Sequence, residues 1–386
     1  MADYSDAVEL ARQLIRCPSV TPAEGGALDL LEAEFTSLGF HCTRLPFGGG
    51  DEQIDNLFAT IGDGHPHIAF AGHTDVVPPG NLESWQFEPF SAEIKDGRLY
   101  GRGAADMKGG IAAFVAAVKA ALAQSELIGR LSFIITGDEE AAAINGTVKM
   151  VDWMKQNGHI PDFCILGEPT NPDMLGDVIK NGRRGSLTGR LTVQGSQGHV
   201  AYPHMANNPV PAMMAMLTQV NSTTLDDGNR YFDPSTAEIV NIHIDNPADN
   251  VIPDTVFSQF NIRFNTEHSA QSLETMLKAH FDKIAAEYNV SYEVEFRSNA
   301  SPFITEAGEM TQMMITAIEA ETGRRPELST TGGTSDARFI CSLCDVAEFG
   351  LVGRTMHKID EHVAIEDIDS LCAIYGRMLA LSGVIR

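Results

Sequence analysis

The sequence predicts an α/β fold, with a mixed and mostly parallel sheet between helices, interrupted by an inserted α+β unit. Three observations carry this. Short apolar runs such as Ile68 to Ala71, Leu131 to Thr136 and Phe163 to Leu166 alternate with helical patterns, as in a sheet covered on both faces. From Leu187 to Phe296 the rhythm changes to strand, helix, two strands, helix, strand, which is the ferredoxin-like order. Beyond it the helix and strand alternation of the first half returns.

Taken in order, Tyr4 to Arg16 and Leu28 to Leu38 space their apolar residues at helical intervals and read as amphipathic helices covering a sheet. The apolar strand from Ile68 follows, then a long connection through Trp85 and Pro89 to a turn at Asp96-Gly97. Gly101 to Gly110 opens a helix whose Ile111, Phe114, Val115, Val118 and Leu122 share a face. Strands at Leu131 and Phe163 end in Gly137-Asp-Glu-Glu140 and Gly167-Glu-Pro-Thr170. Within the insertion, strands at Leu187 to Gln194, Ala237 to Ile244, Val256 to Phe264 and Val290 to Phe296 frame helices at Pro209 to Val220 and Ser269 to Tyr288. The chain closes with helices at Met310 to Thr322 and Arg338 to Leu343 around a strand at Val346 to Gly350. The expected boundaries are 1–183 and 298–386 for the first domain and 184–297 for the insertion.

Bulk properties narrow the function. The 386 residues suit two cores, and 52 acidic against 27 basic side chains give a net charge of −25. That charge excludes nucleic-acid or anionic-membrane binding and makes any Arg facing a cleft notable. A start without basic or long apolar segments and six scattered cysteines point to the cytoplasm. Cys341-Ser-Leu-Cys344 lacks a second ligand pair and reads as two small buried residues rather than a zinc site.

The strand exits hold the chemistry. His73 and Asp75 leave the first strand with one residue between them, a spacing at which a carboxylate can orient an imidazole that binds a metal. Gly101-x-Gly103 is half of a dinucleotide fingerprint, but Asp106 stands where the third Gly belongs and would repel a pyrophosphate. Together the exits offer His73, Asp106, Glu139, Glu140, Glu168 and His357: two imidazoles and several carboxylates, enough for a pair of zinc-like cations with one Glu left as a base. No Ser or Cys nucleophile with an adjacent His competes with that reading.

The motifs Gly72-His-Thr-Asp75, Gly101-Arg-Gly-x-x-Asp-Met-Lys-Gly-Gly110, Asp138-Glu-Glu140, Gly167-Glu-Pro169 and His357, in this order, resemble the zinc aminoacylase and carboxypeptidase family that includes acetylornithine deacetylase and glutamate carboxypeptidases. The resemblance covers essentially the whole chain. Longer stretches, Ile179 to Ser186, Gln197 to His204, Asn250 to Pro253, Gly332 to Asp336 and Met356 to Glu361, are similar to the branch that removes succinyl groups.

The resemblance implies a zinc-peptidase-like catalytic domain in which His73 and Glu168 hold one zinc, Glu140 and His357 the other, and Asp106 bridges them. It also implies a cis Asp106-Met107 peptide, Asp75 as orienter of His73, and Glu139 as general base toward a metal-activated water. The insertion would build a homodimer and lend His199 to the partner's site as an oxyanion donor. A substrate with several carboxylates needs cations, for which Arg183 and Arg263 are chemically suited. Ser186, Asn250, Gly333 and Thr334 would complete the pocket, the last two through free backbone N–H groups. Cobalt or manganese could replace zinc in such a ligand set. One departure stands out: Gly353 occupies a position where the succinyl-removing branch is expected to carry Asn. The rival expectations are a sister amidohydrolase with another acyl preference and an inactive metal-binding dimeric scaffold.

Overall fold

The computed structural model describes residues 5–386. They form two compact units. The first comprises the chain up to Asn181 with Thr305–Ser329 and Ser335–Arg386, and the second comprises Gly182–Ile304 with Thr330–Thr334.

The first unit is built on a sheet that has eight strands among the described residues. Their order is His41–Arg44, Leu57–Gly62, Arg130–Thr136, His67–His73, Phe163–Leu166, Asp345–Glu348, Val178–Lys180 and Glu327–Ser329. The four central strands run parallel; the strand on either side of them joins antiparallel, and of the two outermost pairs the first is antiparallel and the last parallel. His67–His73 is buried at all seven positions, which explains why it reads as one apolar run rather than an alternation. Helix Gly109–Gln124 packs on this sheet through Phe114, whose ring stacks 4.3 Å from Phe70, and Tyr375 of helix Ile365–Leu381 closes the same aromatic cluster. Each such buried ring contributes roughly 1.5–3 kcal/mol of transfer free energy. Helix Asp6–Ile15 is capped by the Ser5 hydroxyl, which accepts the Val8 N–H; Tyr4, where the sequence pattern begins, lies outside the described residues.

Two glycines set how closely these layers approach. A Cβ at Gly72 would lie 2.8 Å from Met107 Cε, and one at Gly110 would lie 2.5 Å from the Gly167 carbonyl oxygen. A side chain at Gly110 would push the helix start away from the Gly167-Glu168 backbone, and one at Gly72 would displace the Met107 side chain beside Asp106.

The second unit is an antiparallel sheet in the order Thr236–His243, Thr255–Phe264, Gly185–Gln194, Ser291–Ala300. With helices Pro209–Ser222 and Ala270–Tyr288 this is the ferredoxin-like arrangement expected from the sequence. Alternate residues of the strands, Leu187, Leu191, Phe260 and Ile262 among them, pack with the two helices into a core of their own. The chain leaves the first unit after Asn181 and rejoins it at Thr305. Those two residues are tied together by the Thr305 N–H to the Asn181 carbonyl at 2.7 Å and the Asn181 amide to the Thr305 carbonyl at 2.8 Å.

All six cysteines are free thiols, and burial pushes the Cys344 thiol up to about 12. Among the described residues no helix is long and apolar enough to cross a membrane.

Candidate metal centre

His73 is the last residue of its strand and is buried. Its Nδ1–H donates to the Asp75 backbone carbonyl at 2.9 Å, so Nε2 faces Asp106 Oδ1 at 3.1 Å and Glu168 Oε1 at 3.7 Å. Glu168 arrives two residues beyond the parallel strand Phe163–Leu166. On the other side of Asp106, Oδ2 lies 3.2 Å from His357 Nε2, which is also 3.0 Å from Glu140 Oε1. Two clusters result, His73-Asp106-Glu168 and Asp106-Glu140-His357, each with its ligand atoms within 4.8 Å of one another. Asp106 gives one oxygen to each. Its peptide bond to Met107 is cis, as the resemblance implies.

The donor set fits a pair of divalent cations. Two imidazoles and three carboxylates converge their ligand atoms there, with Asp106 common to both clusters. Glu168 Oε1 is buried and has no hydrogen-bond partner among the described residues, which is costly unless a cation satisfies it. Imidazole and carboxylate ligands suit zinc and several other divalent ions.

The same crowding perturbs the titrations. Burial raises the Glu168 acid well above the usual carboxylate range, with Asp106 adding to it. For Asp106, burial pulls upward, but its contacts with His357 and His73 win and hold it low. Hydrogen bonds to Asp106 and Glu140 lift the His357 imidazolium to about 10. Burial, opposed by His73 and reinforced by the carboxylates of Asp336, Glu140 and Asp106, raises Glu139 to about 8. A cation among these ligands would draw that last value down toward neutrality.

The structure corrects the role assigned to Asp75. Its carboxylate lies 3.6 Å from His73 Nδ1, beyond hydrogen-bond reach, and the carbonyl does the orienting instead. The carboxylate accepts the Thr21 hydroxyl at 2.7 Å and the N–H groups of Glu139 and Glu140 at 3.2 and 3.1 Å. Asp138, first of the acidic run, stands outside both clusters. It accepts the N–H groups of Ala143, Ile144 and Asn145 and folds the loop back on itself.

In the second unit the remaining candidates fall into three groups. The Arg183 guanidinium donates to the carbonyls of Gly333 at 3.2 Å and Thr331 at 3.4 Å. Thr334 closes the same short segment. Ser186 and Arg263 are cross-strand partners, with the Ser186 hydroxyl accepting from Asn261; burial and the nearby Arg184 lower the half-buried Arg263. His199 pairs with Val251, and the Val200 N–H donates to the Asn250 carbonyl at 3.1 Å, which brings His199 and Asn250 together. The departure at Gly353 has a local cause: a Cβ there would lie 2.8 Å from the Pro169 carbonyl oxygen, one residue past Glu168.

Comparison with known proteins places the chain in a family. The profile of the peptidase family M20/M25/M40 matches residues 69–381. A succinyl-diaminopimelate desuccinylase of Rhodospirillum centenum is 53% identical over 376 residues, 97% of this chain and 96% of the relative. Another of Methylorubrum extorquens is 52% identical over 383 residues, 98% of this chain and 99% of the relative. Among solved structures, an M20 family metallo-carboxypeptidase of Sulfolobus solfataricus superimposes with a TM-score of 0.79 at 17% identity, covering 98% of this chain and 99% of that one. An aminopeptidase of Bacillus cereus does so with a TM-score of 0.80 at 20% identity, covering 98% of each. Matched along most of its length by that profile and by relatives at half identity, the chain belongs to the M20/M25/M40 peptidase family.

Proposed function

We propose that this chain hydrolyses N-succinyl-LL-2,6-diaminopimelate to succinate and LL-2,6-diaminopimelate, a step toward lysine and diaminopimelate. The substrate is taken from the relatives named succinyl-diaminopimelate desuccinylase that match nearly the whole chain at about half identity. The chemistry rests on one observation: Asp106 turns one carboxylate oxygen to His73 and Glu168 and the other to Glu140 and His357.

In this reading His73 and Glu168 would hold one zinc ion, Glu140 and His357 would hold a second, and Asp106 would serve both, with cobalt able to substitute. Ions bound there would acidify a water and polarise the amide carbonyl. Glu139, half-buried next to the ligand Glu140 in the chain and fixed by its own N–H to Asp75, takes the water's proton and returns it to the leaving amine. Arg183 and Arg263, with Ser186, Asn250, Gly333 and Thr334, recognise the substrate carboxylates. The protein works as a cytoplasmic homodimer, and His199 stabilises the oxyanion from across the subunit interface.

The test is amine release from N-succinyl-LL-diaminopimelate and N-acetylornithine side by side, with metal-stripped protein titrated with zinc. Succinyl selectivity that appears as zinc is added supports the proposal. Activity on the acetyl compound alone would keep the metal chemistry and discard the substrate, and silence on both with zinc bound would discard catalysis.

A further inference from the structure

Glu361 lies outside both candidate ligand clusters and is fully buried. Its Oε1 accepts the backbone N–H of Ala105 at 2.9 Å and of Asp106 at 3.2 Å. Its Oε2 accepts Arg102 Nη1 at 2.6 Å. The same guanidinium nitrogen donates to the Lys358 carbonyl at 3.3 Å, and the guanidinium lies over the Trp85 ring at 5.3 Å. Glu361 also binds through its backbone, its carbonyl accepting the Gly101 N–H at 2.9 Å. A single buried ion pair therefore joins the turn that presents Asp106 to the loop that presents His357, four residues before Glu361.

Both joined segments need holding. Asp106 lies in an irregular stretch ahead of helix Gly109–Gln124, with φ −125° and ψ 97°, so the regular helical hydrogen bonds do not fix its backbone. His357 has a φ of 62°, a left-handed conformation that a residue with a side chain adopts only when its surroundings impose it. Between them, Thr355 and His362 close the His357 loop: the Thr355 hydroxyl donates to the His362 carbonyl and accepts the His362 N–H.

We infer that Glu361, held by Arg102, is a positioning residue of the metal centre: it fixes the backbone of the bridging Asp106 and ties it to the His357 loop. This rests on the dinuclear reading above. A carboxylate is required because it alone offers two acceptor oxygens, one for the backbone pair and one for the guanidinium. In Glu361→Gln the amide has one acceptor, so either Arg102 or the Ala105 and Asp106 N–H groups lose their partner. In Glu361→Asp the charge remains, but the shorter side chain cannot span both.

The experiment is titration of metal-stripped wild type, Glu361→Gln and Glu361→Asp with Co2+, followed by visible absorption and by calorimetry, alongside thermal unfolding of each metal-stripped protein. Wild type should bind two ions, and loss of a positioning partner of this kind lowers metal affinity about 10–100-fold. The expected result is such a loss in both variants, with an altered cobalt spectrum, in protein that remains folded before metal is added. If either folded variant binds both ions as tightly as wild type with the same spectrum, the inference falls, even if its unfolding temperature has dropped. If wild type itself fails to bind two ions, the dinuclear reading falls first. Should Glu361→Gln not fold, Glu361→Asp alone decides by the same criterion.

Discussion

The Asp75 carboxylate accepts the backbone N–H of Glu139 at 3.2 Å, and its other oxygen accepts that of Glu140 at 3.1 Å. The side chain that sequence pairs with His73 thus fixes the loop on which Glu139, the proposed base, and Glu140, a candidate metal ligand, stand side by side. Asp75→Asn keeps the shape but turns one acceptor into a donor facing an N–H. Turnover should fall about 10–100-fold, as for other residues that support metal ligands. The change should fall on kcat more than on KM, because Glu139 moves while the Arg residues of the second unit do not. Steady-state kinetics on the succinylated substrate separate the two, and an unchanged kcat would return Asp75 to a passive role.

Glu139→Gln should keep the metal and lose turnover by about 10²–10⁴-fold, the usual contribution of a positioned general base. Metal content of the purified variant checks the first half and single-turnover rates the second. A variant with near-normal turnover would remove Glu139 from the mechanism.

Arg183→Ala and Arg263→Ala test carboxylate recognition separately from chemistry. Each should raise KM for N-succinyl-LL-diaminopimelate at least about tenfold, the scale of a lost charge-assisted hydrogen bond of about 1.5–3 kcal/mol. Arg263 is the sharper case, since its only described charged neighbour is the like-charged Arg184. Unchanged KM in both would place the anion site elsewhere.

Stability should depend on pH through His67. It is buried at the start of the His67–His73 strand, with Nδ1 3.0 Å from the Ile160 carbonyl and Nε2 2.8 Å from the Ser132 hydroxyl; burial pushes its imidazole down to about 4. The unfolded chain takes up a proton near pH 6.5 while the folded chain does not. Stability is therefore full above that value and is lost as pH falls toward 4, by up to about 3 kcal/mol. Urea unfolding at pH 7.5 and pH 5 should show the loss in wild type and a shallower one in His67→Gln.

The sheet and the insertion were legible because hydrophobic period alone specifies them: buried central strands read as runs, and the half-exposed insertion strands as alternations. The five candidate ligand positions come together for a similar reason, since strand exits deliver side chains to one edge of a parallel sheet. Partnerships made through the backbone were not. Nothing in His-x-Asp distinguishes an orienting carboxylate from an orienting carbonyl, and only coordinates show the Asp75 carboxylate turned to Glu139 and Glu140. Nor does the acidic run itself show that Asp138 caps its own loop. Arg102 and Glu361, 259 positions apart, carry no local signal of their meeting.

The paired hydrogen bonds between Asn181 and Thr305 have a consequence for the history and engineering of the chain. They seal the first unit at the point where the insertion departs, so the severed ends of that unit are already neighbours. To the first unit, the 182–304 excursion is a loop whose length hardly matters: doubling it costs only about 0.6 kcal/mol of closure entropy. A module could have been spliced in at this seam, or swapped for another, without disturbing the fold beneath it, and a short Gly-Ser bridge across the seam is where a designer would cut.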